Sequence, residues 1–299
     1  MPLNRKPQKD TIGAAVAESK AEELLSSLGI ADPSEISIED IAMNQGALVL
    51  EGGLAGAEAR LTRSPQVNFI RVNSEIRELG RRRFGIAHEV GHLILHKDRG
   101  GFSICSQNDV ILFASNDQKE LQANVFAAAL LMPTLMFEPR CKSSVPSLAL
   151  ISQLAEEFEV TLTAAATRFI EFCPHRCCLV ISKSGRIRYH RRSQDFGYFI
   201  APSEELKPST YAANFFANKK VPRGMQSVLA NAWLEGARID GSKRIMEDSI
   251  AMPAYDSVLP LLWIDRDIDR YVTGEDEEDE EQKNSDARWS WNRYRRDQE

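Results

Sequence analysis

Long apolar runs are missing from this sequence. The longest, Phe126–Met132 and the Val258–Ile264 stretch with its single proline, fall far short of the ~20 residues that cross a bilayer, so both read as buried core. Basic residues stand in Met1–Asp10 with no apolar segment behind them, so a secretory leader is not expected. Cysteine is scarce and odd in number: Cys105, Cys141, Cys173, Cys177 and Cys178 are five in 299 residues. That excludes a disulfide framework and points to a reducing, cytoplasmic setting. Internal repeats are absent. An excess of positive charge is absent too. The formal net charge is −6, and the seven negatives of Glu275–Glu281 leave about +1 for everything else. The folded body therefore has no global attraction to nucleic acid.

What is present is ordinary globular material, 43% apolar and 27% charged, long enough for two domains. Helical spacing predicts helices over Ala14–Leu28, Arg77–His96, Leu121–Met132, Leu148–Phe158 and Leu162–Phe172. A short one is predicted over Ile38–Asn44, opened by a capping box of Ser37 with Asp40. Ala47–Leu50 and Asn68–Val72 read as strands joined through the glycine-rich bend 52–58. After Cys173-Pro174 the texture changes to strands. Leu179–Ser182 and Arg186–Arg191 flank Ser184-Gly185 as a hairpin, and Ser249–Met252 and Leu259–Ile264 follow. The expected class is α+β: a mainly helical domain with a small sheet over 1–145, a helix-turn-helix-like pair over 146–173, a C-terminal α/β domain over 174–273, and a tail, 274–299. The acidic part of that tail is expected to be solvated.

Chemistry concentrates at His88-Glu89-Val90-Gly91-His92. On a helix, residues four apart share a face, so both imidazoles can reach one zinc ion. Glu89, roughly 100° around the helix from His88, is placed to take a proton from the metal's water without ligating. Phe84, Ile86, Ala87, Val90, Leu93, Ile94 and Leu95 make the segment apolar nearly all round, and buried polar groups need partners. The bland reading is a chance pentad whose histidines bond to backbone carbonyls; three of the chain's five histidines within nine residues weigh against it. His96 lies on the same stripe, too far along to be an easy third ligand, and reads as a supporting or structural residue. A catalytic zinc needs a third protein ligand. The helix after Lys119 offers Glu120 and, less well, Asp117; against this, Glu120 is also a favourable charge at a helix N-terminus, and the residues alone leave the choice even.

Arg81-Arg82-Arg83-Phe84-Gly85-Ile86-Ala87-His88-Glu89-Val90-Gly91-His92-Leu93-Ile94-Leu95-His96, followed by Glu120-Leu121-Gln122-Ala123-Asn124-Val125-Phe126-Ala127-Ala128-Ala129-Leu130-Leu131-Met132-Pro133, resembles the paired motifs of the ImmA/IrrE metallopeptidases. The resemblance covers roughly Ala14–Phe172. It implies a zincin-like fold with His88, His92 and Glu120 as zinc ligands, Glu89 as general base, and His96 and Asn124 supporting the ligands. It departs at Ala129, where many relatives have Glu, and at Gly85, where Thr or Ser is usual; neither position is a ligand. It further implies a substrate, a helix-turn-helix repressor whose cleavage switches on a stress, DNA-damage or phage-defence operon. The region after Cys173 is similar to the GAF-like sensor domain of longer members. There, single-stranded DNA or a small ligand is the expected activator.

The expected reaction is metal-assisted peptide hydrolysis, with His190, Tyr189 or a loop tyrosine as candidates for an oxyanion helper. Cys105, thirteen residues after His92 in a Gly/Ser/Asn-rich stretch, could close the open coordination site and hold the enzyme latent. Direct DNA binding by Leu162–Phe172 is disfavoured, because Arg168 is its one basic residue. Cys173, His175, Cys177 and Cys178 could form a second zinc site. Adjacent Cys177 and Cys178 would point to opposite faces of a strand, however, which favours a structural role with a disulfide from Cys173 left open. The rival class is a non-catalytic, metal-stabilised regulator acting by docking. Intact Glu89 argues against it. A two-metal aminopeptidase lacks a second cluster of ligands.

Overall fold

Residues 8–96, 117–142, 145–201, 204–235 and 243–264 are described by a computed structural model, with side chains from residue 13 onward. The chain opens with α1 (Gln8–Ser27), which buries Ala17, Ala21, Leu24 and Leu25 on one face. Next comes α2 (Ile38–Asn44). Ser37 caps it by position only, and its side chain makes no capping bond. The reciprocal box lies five residues earlier instead: Asp32 accepts from the Ser34 amide at 2.9 Å, and Glu35 accepts from the Asp32 amide at 3.1 Å. That box opens the separate 3-10 turn Pro33–Glu35, which precedes α2.

Three strands follow: β1 (Ala47–Gly52), β2 (Ala59–Thr62) and β3 (Asn68–Asn73), in the order β1-β3-β2. The β1 and β3 strands run parallel with Val49 opposite Ile70, and β2 runs antiparallel with Leu61 opposite the same Ile70. The sequence did not announce β2. Four residues containing arginine and threonine carry too little alternation to signal a strand.

The sheet supports α3 (Leu79–Leu95), against which α4 (Gln118–Leu131) lies. At Met132-Pro133 the chain turns by 70° into α5 (Thr134–Lys142), a helix the sequence hid behind Pro133 and Pro139. Glu22 on α1 accepts from the Thr134 amide at 3.1 Å, tying α1 to that corner. The pair α6 (Leu148–Glu157) and α7 (Leu162–Phe172) follows as expected. Arg168 is buried, 3.1 Å from Glu171 and stacked 4.5 Å over the Phe172 ring. A guanidinium held in that way has no reach for phosphate.

The second sheet contains β4 (Arg176–Lys183), β5 (Arg186–Arg192), β6 (Gln226–Leu229), β7 (Arg244–Met252) and β8 (Ser257–Ile264). Its order is β5-β4-β8-β7-β6, antiparallel throughout. The β4–β5 hairpin turns at Ser184 and Gly185, both at positive φ, as its tight connection requires. The short helix α8 (Tyr211–Phe216) contributes Ala212 to the core, beside Phe196, Ile200 and Trp233. Among the described residues, one compact unit falls within Met1–Phe137 and Leu154–Ala165, the other within Glu138–Gln153 and Ala166–Arg295. No single described helix is long and apolar enough to cross a membrane.

Candidate metal centre

From Arg83 to His92 every residue of α3 is buried. Glycine stands inside the pentad for a packing reason. A Cβ on Gly91 would lie 3.1 Å from Phe126 Cδ1 and 3.2 Å from Ala123 Cα. The two small residues let the α3 and α4 backbones approach closely enough for short side chains on α4 to reach the histidines.

The side chains that meet there are His88, His92 and Glu120. His88 Nε2 is 2.9 Å from His92 Nε2 and 3.1 Å from Glu120 Oε2, and His92 Nε2 is 3.3 Å from Glu120 Oε1. These separations approach the ~3.3 Å edge of a tetrahedron built on zinc–ligand bonds of ~2.0–2.1 Å. The acceptors behind them fit as well. Asn124 Oδ1 accepts from His88 Nδ1 at 2.8 Å, and His92 Nδ1 lies 3.0 Å from His96 Nδ1. With Nδ1 of each ring carrying the proton, both Nε2 atoms turn lone pairs toward one another and toward a carboxylate. A cation resolves that convergence, and two imidazoles with a carboxylate are a zinc-type donor set.

Glu89 is 1% exposed and does not join the cluster. The Leu61 amide on β2 donates to its Oε2 at 3.0 Å. Arg63, just past β2, donates to the carbonyls of His92 at 2.8 Å and His96 at 3.0 Å. A cation there satisfies the last carbonyls of α3 and complements its dipole. Arg81 on α3 is ion-paired with buried Glu58 immediately before β2. These three contacts bind the strand along the helix that carries the pentad. Leu61, Arg63 and Glu58 gave no sequence signal, because a backbone amide and two ordinary charges become informative only once β2 is seen.

The other sequence candidates separate cleanly. Asp117 is the N-cap of α4, accepting from the Lys119 amide at 2.8 Å, and is not part of the cluster. His96 ends α3 behind His92 and contacts Gln122 Oε1 through Nε2 at 3.0 Å; burial holds its imidazole below the ordinary value, with the Gln122 bond opposing. Cys105 lies outside the described residues. Among those described, His88, His92 and Glu120 form the one metal-capable cluster. Cys173, Cys177 and Cys178 are instead buried beside or within β4, with Cys173 Sγ and Cys177 Sγ 3.8 Å apart. The hydrogen bond between the two thiols lowers the pKa of Cys173, while burial raises those of Cys177 and Cys178. Tyr189 and His190 lie on β5 of the second sheet.

Comparison with known proteins accords with this geometry. No curated protein matches the sequence. A transcriptional regulator from Mycobacterium tuberculosis is similar in fold, with a TM-score of 0.52 at 15% identity, covering 87% of this chain and 79% of its own. Residues 42–169 match the model of the M78 peptidase family, described as an IrrE N-terminal-like domain. That segment runs from α2 to α7 and includes the three clustered residues and Glu89, so this part of the chain is similar to an IrrE N-terminal-like domain.

Proposed function

We propose that this chain is a zinc-dependent endopeptidase that cleaves a helix-turn-helix repressor and so switches on a stress, DNA-damage or phage-defence operon. The observation that carries the reading is the convergence of His88, His92 and Glu120 beside a buried Glu89 that is not a ligand. A site built only for structure has no use for such a carboxylate. When bound at His88, His92 and Glu120, zinc acidifies water and polarises a carbonyl.

The rest is done by the chain itself. Asn124 and His96 hold the two imidazoles with Nε2 toward the ligand position. Glu89, with one carboxylate oxygen fixed by the Leu61 amide, takes the proton of the attacking water and returns it to the leaving amine. In this reading residues 1–145 are the peptidase, 146–173 a docking unit for the repressor, and 174–273 a GAF-like sensor of single-stranded DNA or a small ligand, followed by the tail 274–299, all working in the cytoplasm. Support for the sensor is the five-stranded antiparallel sheet with its own core. Cys105 as a latent-state ligand belongs to the same proposal, tested by whether Cys105→Ser cleaves without a stimulus.

The decisive experiment incubates the full chain with the repressor encoded next to its gene, with and without a zinc chelator and with and without single-stranded DNA. Specific cleavage abolished by the chelator supports the reading. Zinc uptake with no cleavage of that repressor under any of these conditions rejects it in favour of a metal-stabilised regulator that acts by docking.

A further inference from the structure

A histidine ligates through Nε2 only when its proton sits on Nδ1, and something must hold the proton there. For His88 that partner is Asn124. For His92 it is another imidazole, His96 Nδ1 at 3.0 Å. An imidazole nitrogen accepts only if its own proton is on the opposite nitrogen, so His96 must be protonated at Nε2. That nitrogen faces Gln122 Oε1 at 3.0 Å, an amide oxygen that can only accept. The order of protons is thus set from Gln122 through His96 to His92.

Gln122 reaches His96 because of a vacancy on another helix. Gly13 lies within α1, an interior position where glycine is disfavoured. A Cβ there would stand 2.5 Å from Gln122 Nε2, inside any permitted contact. The amide end of Gln122 therefore rests where a side chain at position 13 would be, with its oxygen turned to His96.

We propose that Gly13 and Gln122 are positioning residues for the metal centre: the glycine forms a socket on α1 that seats the Gln122 amide, which fixes the His96 tautomer and through it presents His92 Nε2. This rests on the zinc reading above, and its test separates the two. Zinc affinity is measured by chelator competition on the full-length chain, alongside the melting of the metal-free protein. Gln122→Leu, which keeps the bulk and removes the acceptor, and Gly13→Ala should each weaken zinc binding by about tenfold or more, in the range seen for residues behind metal ligands. Gln122→Glu keeps an oxygen facing His96 and should bind zinc like the wild type. Metal-free Gly13→Ala should melt no lower than the wild type, since alanine favours a helix interior. Wild-type affinity in a folded Gly13→Ala or Gln122→Leu protein overturns the relay, as does Gln122→Glu falling with Gln122→Leu. A wild type that takes up no zinc overturns both the relay and the peptidase reading.

Discussion

Gly91 and Ala123 face each other across the contact between α3 and α4, with room for no Cβ on the glycine: one placed there lies 3.2 Å from Ala123 Cα and 3.3 Å from its carbonyl oxygen. The same contact sets how near Glu120 and Asn124 come to the histidines, since both ride on α4 one residue or one turn from Ala123. Gly91→Ala must therefore push α4 outward by a few tenths of an ångström, or strain the core by about 1–3 kcal/mol. The expected outcome is a folded protein with weakened zinc affinity in chelator competition. Wild-type affinity would show that the helix spacing does not control the ligand geometry.

Glu89 and His92 should separate in their effects. Glu89→Gln keeps the shape and the acceptor for the Leu61 amide but cannot take a proton, so cleavage of the repressor should fall by about 10²–10⁴-fold, as for loss of a general base. Bound zinc, measured by elemental analysis, should stay at one per chain. His92→Ala removes a ligand and should lose both metal and cleavage. A Glu89→Gln protein that cleaves at full rate removes Glu89 from the chemistry.

The pentad was legible because three requirements of one metal fall on one helix, where spacing is geometry. Glu120 was legible only through the resemblance, since a carboxylate in a first helical turn is equally well explained by the dipole. Four residues of β2 were not legible at all. Their strand character comes from pairing with β3 and from lying along α3, both of which are tertiary facts. The contributions of Leu61, Arg63 and Glu58 were lost with that strand. Likewise α5 was obscured by Pro133 before it and Pro139 within it, and the capping box belongs to Asp32 and the turn Pro33–Glu35 rather than to Ser37, whose spacing to Asp40 matched the motif without forming the bonds.

Glu247 on β7 is fully buried and accepts four hydrogen bonds. The amides of Tyr211 and Ala212 donate at 3.1 and 2.7 Å, Trp233 Nε1 at 2.7 Å and Ser249 Oγ at 2.8 Å. Burial raises its pKa, and these donors oppose the rise. Glu247→Ala would strand the start of α8 and the indole together. Each unmet buried donor costs about 1–3 kcal/mol, so the second unit should lose several kcal/mol in denaturant unfolding. Glu247→Gln retains an acceptor oxygen and should lose less. An alanine variant as stable as the wild type would mean that water replaces the carboxylate without penalty.

His190 on β5 gives the same unit a pH dependence of definite sign. Burial first, and the Arg192 charge second, depress its pKa from 6.5 to about 4. Above pH 6.5 the ring is neutral in both folded and unfolded chains and contributes nothing. As pH falls from 6.5 toward 4, the unfolded chain takes up a proton that the folded one refuses, so stability is lost. The loss approaches about 3 kcal/mol near pH 4 and then levels, at ~1.4 kcal/mol per pKa unit. Glu247 pulls the other way over the acid range, because a carboxyl with a raised pKa is relieved on protonation. The His190 contribution is therefore isolated by comparison with His190→Gln. The difference in unfolding free energy between the two proteins should be flat above pH 6.5 and move steadily against the wild type below it. A difference that stays constant down to pH 4 would mean that His190 is protonated inside the fold.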